Sequence, residues 1–405
     1  MKASQRRMRE VEQAKRSAAI PASGTGRNIG IDVLRGVAIV LVVLNHLGIR
    51  IPLKKTVLAE FLPPRFLSHL NYNGYEAVFV FFVISGFLIA GNALRRWGDL
   101  ARIDIKTFYA LRFSRIVPCL LLLVAVLSVL HALGVQDYVI DRPGQSLPRA
   151  ILAALGLHLN WYEGMTGYLP GNWDVLWSLS IEEVFYIGFP IACLLTRRVW
   201  ILASLLVVLA LSMPWTHGAL AGNEIWQEKA YLPGMSAIAI GVIGALWARR
   251  WPVRSVLQAR ALMMAGVLGM LAEMFAGRLL WPIFEDSILL LLTVSVMLIL
   301  LGLQARPLAR LRGCSWLASW GRLSYEIYLS HMFVVYAVVR VYRATGSDIR
   351  WGVLWYLLAL PLCWLLGQAV ARWVSIPCER ALRAWMLGVD QRSRGARASD
   401  LRAAG

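Results

Sequence analysis

The 405-residue chain is 58% hydrophobic and only 16% charged, with a mean hydropathy of +0.60, a balance that excludes a soluble domain wrapped in a charged surface. Its formal net charge of +19 does not argue for nucleic acid, because the basic residues lie between apolar segments and in the tails, where they set topology. Five cysteines without a CxxC pair point away from a disulfide framework, and no metal site is expected.

Residues 1–28 are polar and basic and form an expected cytoplasmic tail. Beyond them, ten segments are long and apolar enough to cross a hydrocarbon core, which takes roughly 20 residues at 1.5 Å rise. They fall near 30–50, 75–93, 113–133, 176–195, 199–215, 231–248, 260–276, 282–303, 323–342 and 352–376. The pattern predicts an all-α polytopic membrane protein of about ten transmembrane helices, with the membrane domain over 29–378 and a second basic cytoplasmic tail over 379–405. The first segment is followed by Arg50, Lys54 and Lys55 instead of a small-residue cleavage site, so it is read as a retained helix. The stretch 151–161 is too short to span and is read as interfacial or re-entrant. With both termini in the cytoplasm, 29 Lys and Arg fall on that side and 10 on the other, as the positive-inside rule requires. The expected location is the bacterial inner membrane.

In the first segment, Arg35 and His46 are 11 residues apart. That separation is about 20° beyond three full turns, so both side chains share one helix face roughly 16 Å apart. An intramembrane arginine is costly and faces a polar cavity by default. Arg35, near the cytoplasmic mouth, suits a phosphate, and His46, deeper, suits proton removal from a hydroxyl. In the second segment, Ser85 and Gly86 sit amid aromatic and β-branched residues, where small side chains serve either helix packing or close approach of a slender ligand. Arg112 and Arg115, before Pro118, form a clamp for nucleotide phosphates or carry ordinary topogenic charge.

The long loop near 134–175 carries Asp137, Asp141, Glu163 and Asp174 beside Trp161, Tyr162, Tyr168 and Trp173. Carboxylates and aromatic faces suit a carbohydrate, and the aromatics equally suit the headgroup belt. In the fourth segment, Ser178, Glu182 and Tyr186 follow at intervals of four and share a stripe, with Glu183 turned about 100° away. A carboxylate there could orient His46 or bind acceptor hydroxyls. In the ninth, Ser324, Tyr328 and His331 line one stripe, and His331 is either a second acid/base or a structural hydrogen-bonding partner. Glu379, amid Arg380 and Arg383, reads as part of a surface ion pair.

Together these segments resemble acyltransferase family 3, the bacterial integral-membrane O-acyltransferases. The carrying features are Arg35 with His46, then FFVISGFLI at 81–89, RFSRIVP at 112–118, WSLSIEEVFY at 177–186 and GRLSYEIYLSH at 321–331. Five motifs in order over about 300 residues make the signal specific. Departures are Tyr75-Glu76-Ala77 where the family often has Gly-Val-Asp, Val184 where it usually has Gln, and Pro377 preceding Glu379. The resemblance implies transfer of an acyl group, expected to be acetyl, from cytoplasmic acyl-CoA to a hydroxyl of an extracytoplasmic glycan or glycolipid. Acyl-CoA is thus a co-substrate, no tightly bound cofactor is expected, and the chain is expected to be the stand-alone form. Expected roles are catalysis for His46, Glu182 and Arg35, and donor binding for Arg35, Arg112, Arg115 and Ser85. Acceptor binding is expected of Trp177, Glu183, Tyr186, Asp174, Tyr328 and His331. The competing reading is a secondary transporter of a small anionic or sugar-like solute, which would call for paired, broken segments in two halves; no second copy of the Arg35/His46 helix exists in the sequence.

Overall fold

The computed structural model describes residues 27–305 and 313–388, and within them the chain is helical with no strand. The first helix, α1 (Ile29–Gly48), starts at Asn28, whose side chain accepts from the Gly30 N–H, and carries an Arg27–Asp32 ion pair at its mouth. After it come α2 (Pro64–Tyr72), α3 (Gly74–Trp97) and α4 (Ile105–Ala132), the last capped by Asp104. The long loop holds the short helices α5 (Leu147–Leu155), α6 (Leu159–Thr166) and α7 (Gly171–Asp174). Next in the chain are α8 (Leu176–Thr196), α9 (Val199–Leu211), α10 (Met213–Gly218), α11 (Glu224–Lys229) and α12 (Tyr231–Arg250). A hairpin of α13 (Val256–Phe284) and α14 (Ile288–Ala305) leads to α15 (Ser315–Arg322), α16 (Ser324–Ala344) and α17 (Val353–Val370). A single π turn, Ala371–Ser375, joins α17 to α18 (Ile376–Leu387).

Each predicted segment falls on helical chain, with 199–215 covering α9 and α10, 282–303 running from the end of α13 into α14, and 352–376 covering α17, the π turn and the start of α18. By length and apolarity, seven candidate spans are counted among the described residues against the expected ten or so. Three physical differences account for the change. The α13–α14 hairpin, 50 residues in all, is counted once although it is two helices parted at Glu285–Ser287, and α9, with 13 residues, is short. The first half of α16 is unusually polar, holding Ser324, Tyr325, Glu326, Tyr328, Ser330 and His331, because part of it faces a cavity instead of lipid. The segment 151–161 is indeed no span: α5 and α6 break at Leu157, which takes a positive φ of 59°. The predicted tails, 1–28 and 379–405, fall mostly outside the described residues, although α18 continues to Leu387, past the expected boundary.

The core is built by α1, α3, α12 and α16, with α3 packed between α12, α14 and α1. Close approach decides which residues fit. Gly86 of α3 lies against the Ile238 carbonyl of α12, and Gly241 of α12 lies against the Val83 carbonyl of α3, so a Cβ at either position would strike backbone. Gly86 of the FFVISGFLI run is therefore explained by helix packing, and its neighbour Ser85 by what it faces.

Candidate active site

A cavity of ≈ 150 Å³ opens between α1, α3, α4, α8 and α16, and its polar lining is Arg35, Ser85, Asn92, Arg112, Arg115, Ser178, Glu182, Tyr186, Ser324, Tyr325 and Tyr328. Apolar walls come from Phe81, Phe82, Ile84 and Leu88 of α3 together with Leu179 and Leu329. Seven of the residues expected from sequence to have a catalytic or binding role thus converge: Arg35, Ser85, Arg112, Arg115, Glu182, Tyr186 and Tyr328. They come from five helices, and the stripe geometry of each helix is what aims them inward.

The contacts within the cavity are specific. An Arg35 guanidinium N–H donates to Ser324 Oγ at 2.7 Å. Arg112 lies over the Tyr186 ring, 4.1 Å from its centroid, a stacked cation–π contact that suits Arg. Tyr186 and Ser85 share a hydroxyl–hydroxyl hydrogen bond, as do Ser178 and Tyr328 at 2.8 Å. The Glu182 carboxylate interacts with Ser85, Arg112, Arg35 and Arg115. A buried carboxylate among guanidinium groups is compensated where it would otherwise be prohibitive.

The remaining predicted residues lie elsewhere. His46 and His331 are outside the cavity lining, with their ring centroids 5.1 Å apart, and His331 is 5.9 Å from the ring of Tyr328. Tyr328, His331 and His46 therefore form a run of rings leading from the cavity wall to the far end of α1. The ring packed on His46 among the described residues is that of His331, and Glu182 lies instead with the arginines. The expected alternatives for Glu182 are to orient His46 or to bind acceptor hydroxyls; the ring contact seen for His46 is with His331. The tautomer of His331 comes from its bonds: Nδ1 sits 2.8 Å from the Tyr328 carbonyl and 3.1 Å from the Ile327 carbonyl. Carbonyl oxygens only accept, so Nδ1 carries the hydrogen, leaving Nε2 with a bare lone pair. Among the described residues that Nε2 has no hydrogen-bond partner, on a side chain with no exposure. Trp177 stacks on Tyr75 at 6.4 Å and meets Phe82 edge-on. Glu183 is outside the lining, with a buried Oε1 that has no hydrogen-bond partner among the described residues, and it interacts with Arg112, Glu182 and Arg115.

Asp174 belongs to a separate cluster beyond His46 that the sequence did not reveal. Lys229, 2% exposed, pairs with Glu163 at 2.8 Å and with Asp174, and its ammonium lies 4.3 Å from the Tyr168 ring centroid. Burial raises the Glu163 carboxyl above its ordinary range, the neighbouring Asp174 adds to the shift and Lys229 opposes it. Lys229 ends a short helix between two loops, where no periodicity marks it as buried. The ties hold α6, α7 and α11 together. Lys229→Met is expected to destabilise the protein by about 3–5 kcal/mol, because it leaves buried carboxyls without a counterion. Thermal unfolding in detergent checks this, and the further replacements Glu163→Gln and Asp174→Asn should recover most of the loss.

A model of the family described as acyltransferase domain matches residues 28–368, which spans every helix lining the cavity. The chain belongs to this acyltransferase family. Among its relatives, a Staphylococcus aureus strain COL protein with the provisional name O-acetyltransferase SACOL0978 is 29% identical over 170 residues, covering 40% of this chain and 24% of that one. O-acetyltransferase OatA of Staphylococcus aureus strain NCTC 8325 / PS 47 is 28% identical over 173 residues, with the same coverage. The match thus spans about a quarter of the length of these curated relatives. No solved structure matches the chain. For an acyltransferase-domain protein, a cavity lined by guanidinium groups and hydroxyls, with the rings of His331 and His46 following in turn from Tyr328 of its lining, has the parts acyl transfer needs.

Proposed function

We propose that the protein is an integral-membrane O-acetyltransferase, taking acetyl from acetyl-CoA on the cytoplasmic side and placing it on a hydroxyl of an extracytoplasmic glycan or glycolipid. The observation that carries this reading is the convergence of Arg35, Arg112 and Arg115 on one cavity whose lining also holds Tyr328, followed ring to ring by His331 and His46. A family of acyltransferases and relatives named O-acetyltransferases support it. Both termini lie in the cytoplasm in this reading, so the Arg35 end of α1 is the donor mouth and the His46 end faces the acceptor.

In the proposed reaction the arginines bind the pyrophosphate through charge-assisted, bidentate hydrogen bonds, and the pantetheine arm runs along the apolar wall of α3. His46 accepts the proton of the acceptor hydroxyl as its oxygen attacks the thioester carbonyl. The tetrahedral oxygen takes a hydrogen bond from whichever hydroxyl of the Ser178–Tyr328 pair does not donate to the other. Collapse breaks the C–S bond, the thiolate takes the proton from His46, and the products are the acetyl ester and free CoA. His331 Nε2 is held as an acceptor without a partner among the described residues, its ring packed on that of His46; a hydrogen bond from the second nitrogen of His46 would form there as His46 takes up the proton, favouring its protonated form. Glu182 neutralises the arginine cluster and keeps its guanidinium groups aimed into the cavity. A transporter has less support, because solute translocation gives no reason for a bare imidazole nitrogen set against a second imidazole.

Mass spectrometry of cell-envelope glycans with and without the protein tests the proposal. The expected result is loss of one acetyl mass from a defined glycan in the deletion strain, restored by the wild-type chain and not by His46→Ala. Unchanged glycan acylation, together with solute flux in vesicles that consumes no acetyl-CoA, would overturn it.

A further inference from the structure

Beyond the three arginines that line the cavity, the C-terminal helix brings up another guanidinium by a route that the sequence conceals. The π turn Ala371–Ser375 interrupts the last long helix, and π turns recur at functional positions because the extra residue re-aims the next turns of the helix. Here the turn is pinned: Ser375 Oγ donates to Glu326 Oε1 at 2.7 Å, and both residues are buried. The re-aimed α18 then packs along α4 and carries Arg383 inward. Arg383 Nε donates to Ser114 Oγ at 3.4 Å, so it stands beside the residue that precedes Arg115. Its carboxylate partner is Glu379, one turn earlier on the same helix. Arg383 is close enough to Arg115 for the two charges to repel, and Arg96, at the end of α3, feels Arg383 in the same way.

Glu182, Glu379 and Asp104 offset part of the repulsion among the guanidinium groups gathered from α1, α3, α4 and α18, and an anion of several charges seated among them would offset more. A ridge of charge that merely set topology would not need a π turn fixed by a buried carboxylate. We propose that Arg383, with Arg96, forms an outer phosphate subsite that holds the ribose phosphate of the nucleotide donor, one step outside the pyrophosphate on Arg35, Arg112 and Arg115. The order is set by covalent connectivity: the lining arginines meet the first phosphates beyond the pantetheine arm, and Arg383, outside the lining, meets the next. This rests on the proposal that acetyl-CoA is the donor.

The test compares CoA with 3′-dephospho-CoA by calorimetry on the purified full chain in detergent. The wild type is expected to prefer CoA by about tenfold or more, the equivalent of one charge-assisted contact. Arg383→Ala should erase that preference while leaving 3′-dephospho-CoA binding within about twofold, an effect a purely structural role would not produce. Arg383→Lys should keep part of the preference, and Arg383→Gln serves if the alanine variant fails to fold. A preference that persists in Arg383→Ala and Arg383→Gln overturns the subsite. If, in addition, native mass spectrometry shows that these variants lose bound phosphatidylglycerol, the phosphate recognised is a lipid headgroup. Should the wild type bind neither nucleotide, the donor assignment falls and the subsite with it, an outcome distinct from loss of the subsite alone.

Discussion

His46→Ala is expected to lower acetyl transfer by roughly 10²–10⁴-fold, the contribution of a positioned general base, while acetyl-CoA binding stays within about twofold of wild type because the nucleotide is held at the other end of the cavity. His331→Ala should lower the rate by a smaller factor, roughly 10–100-fold, since it removes the partner of the base and not the base. The two losses should fail to add: with His46 gone, His331 has nothing left to orient, so the double variant should resemble His46→Ala alone. Transfer rates from purified protein in detergent or nanodiscs, set beside acetyl-CoA affinity by calorimetry, check both statements. Full additivity of the two substitutions would mean that the 5.1 Å ring pair is packing, and unchanged transfer in His46→Ala would take the imidazole out of the chemistry.

The helices were legible because burial in lipid demands long apolar runs, and each run found in the sequence is a helix. So were seven of the cavity residues, for the converse reason: a charged or hydroxyl-bearing side chain inside such a run needs a polar place to go. Periodicity says which side chains share a stripe, and that is why Ser178, Glu182 and Tyr186 were grouped correctly. It does not say which stripe faces which. Glu182 and His46 looked like partners because both are intramembrane groups on amphipathic faces, yet the structure sets Glu182 against Arg35, Arg112 and Arg115 and His46 against His331. Lys229 escaped notice because it ends a six-residue helix, too short to show a pattern. Arg383 looked like half of a surface pair with Glu379; that pair exists, but the π turn that carries it toward Ser114 leaves no mark in hydropathy. The seven candidate spans and the expected ten differ where the α13–α14 pair is counted once and α9 and α16 are left out, and the polar start of α16, which lowers its hydropathy, holds the residues that face the cavity.

Arg35→Ala is expected to weaken acetyl-CoA binding by about two orders of magnitude or more, the scale of losing one partner of a buried, hydrogen-bonded charge pair. Two effects combine in that figure. The phosphate contact disappears, and Glu182, which Arg35 helps to neutralise, is left with less compensation beside the anionic donor. Arg35→Lys should recover part of the binding but not all of it, because an ammonium cannot match the guanidinium's paired donors to a phosphate while also reaching Ser324 Oγ, now 2.7 Å away. The double variant Arg35→Ala/Glu182→Gln separates the two effects. Its thermal stability should return toward wild type as the uncompensated carboxylate is removed, whereas its affinity for acetyl-CoA should stay at least about tenfold below wild type, since the missing phosphate contact is not restored. If the double variant instead binds acetyl-CoA as well as the wild type, Arg35 serves only as the counterion of Glu182, and the donor is held by Arg112 and Arg115 without it.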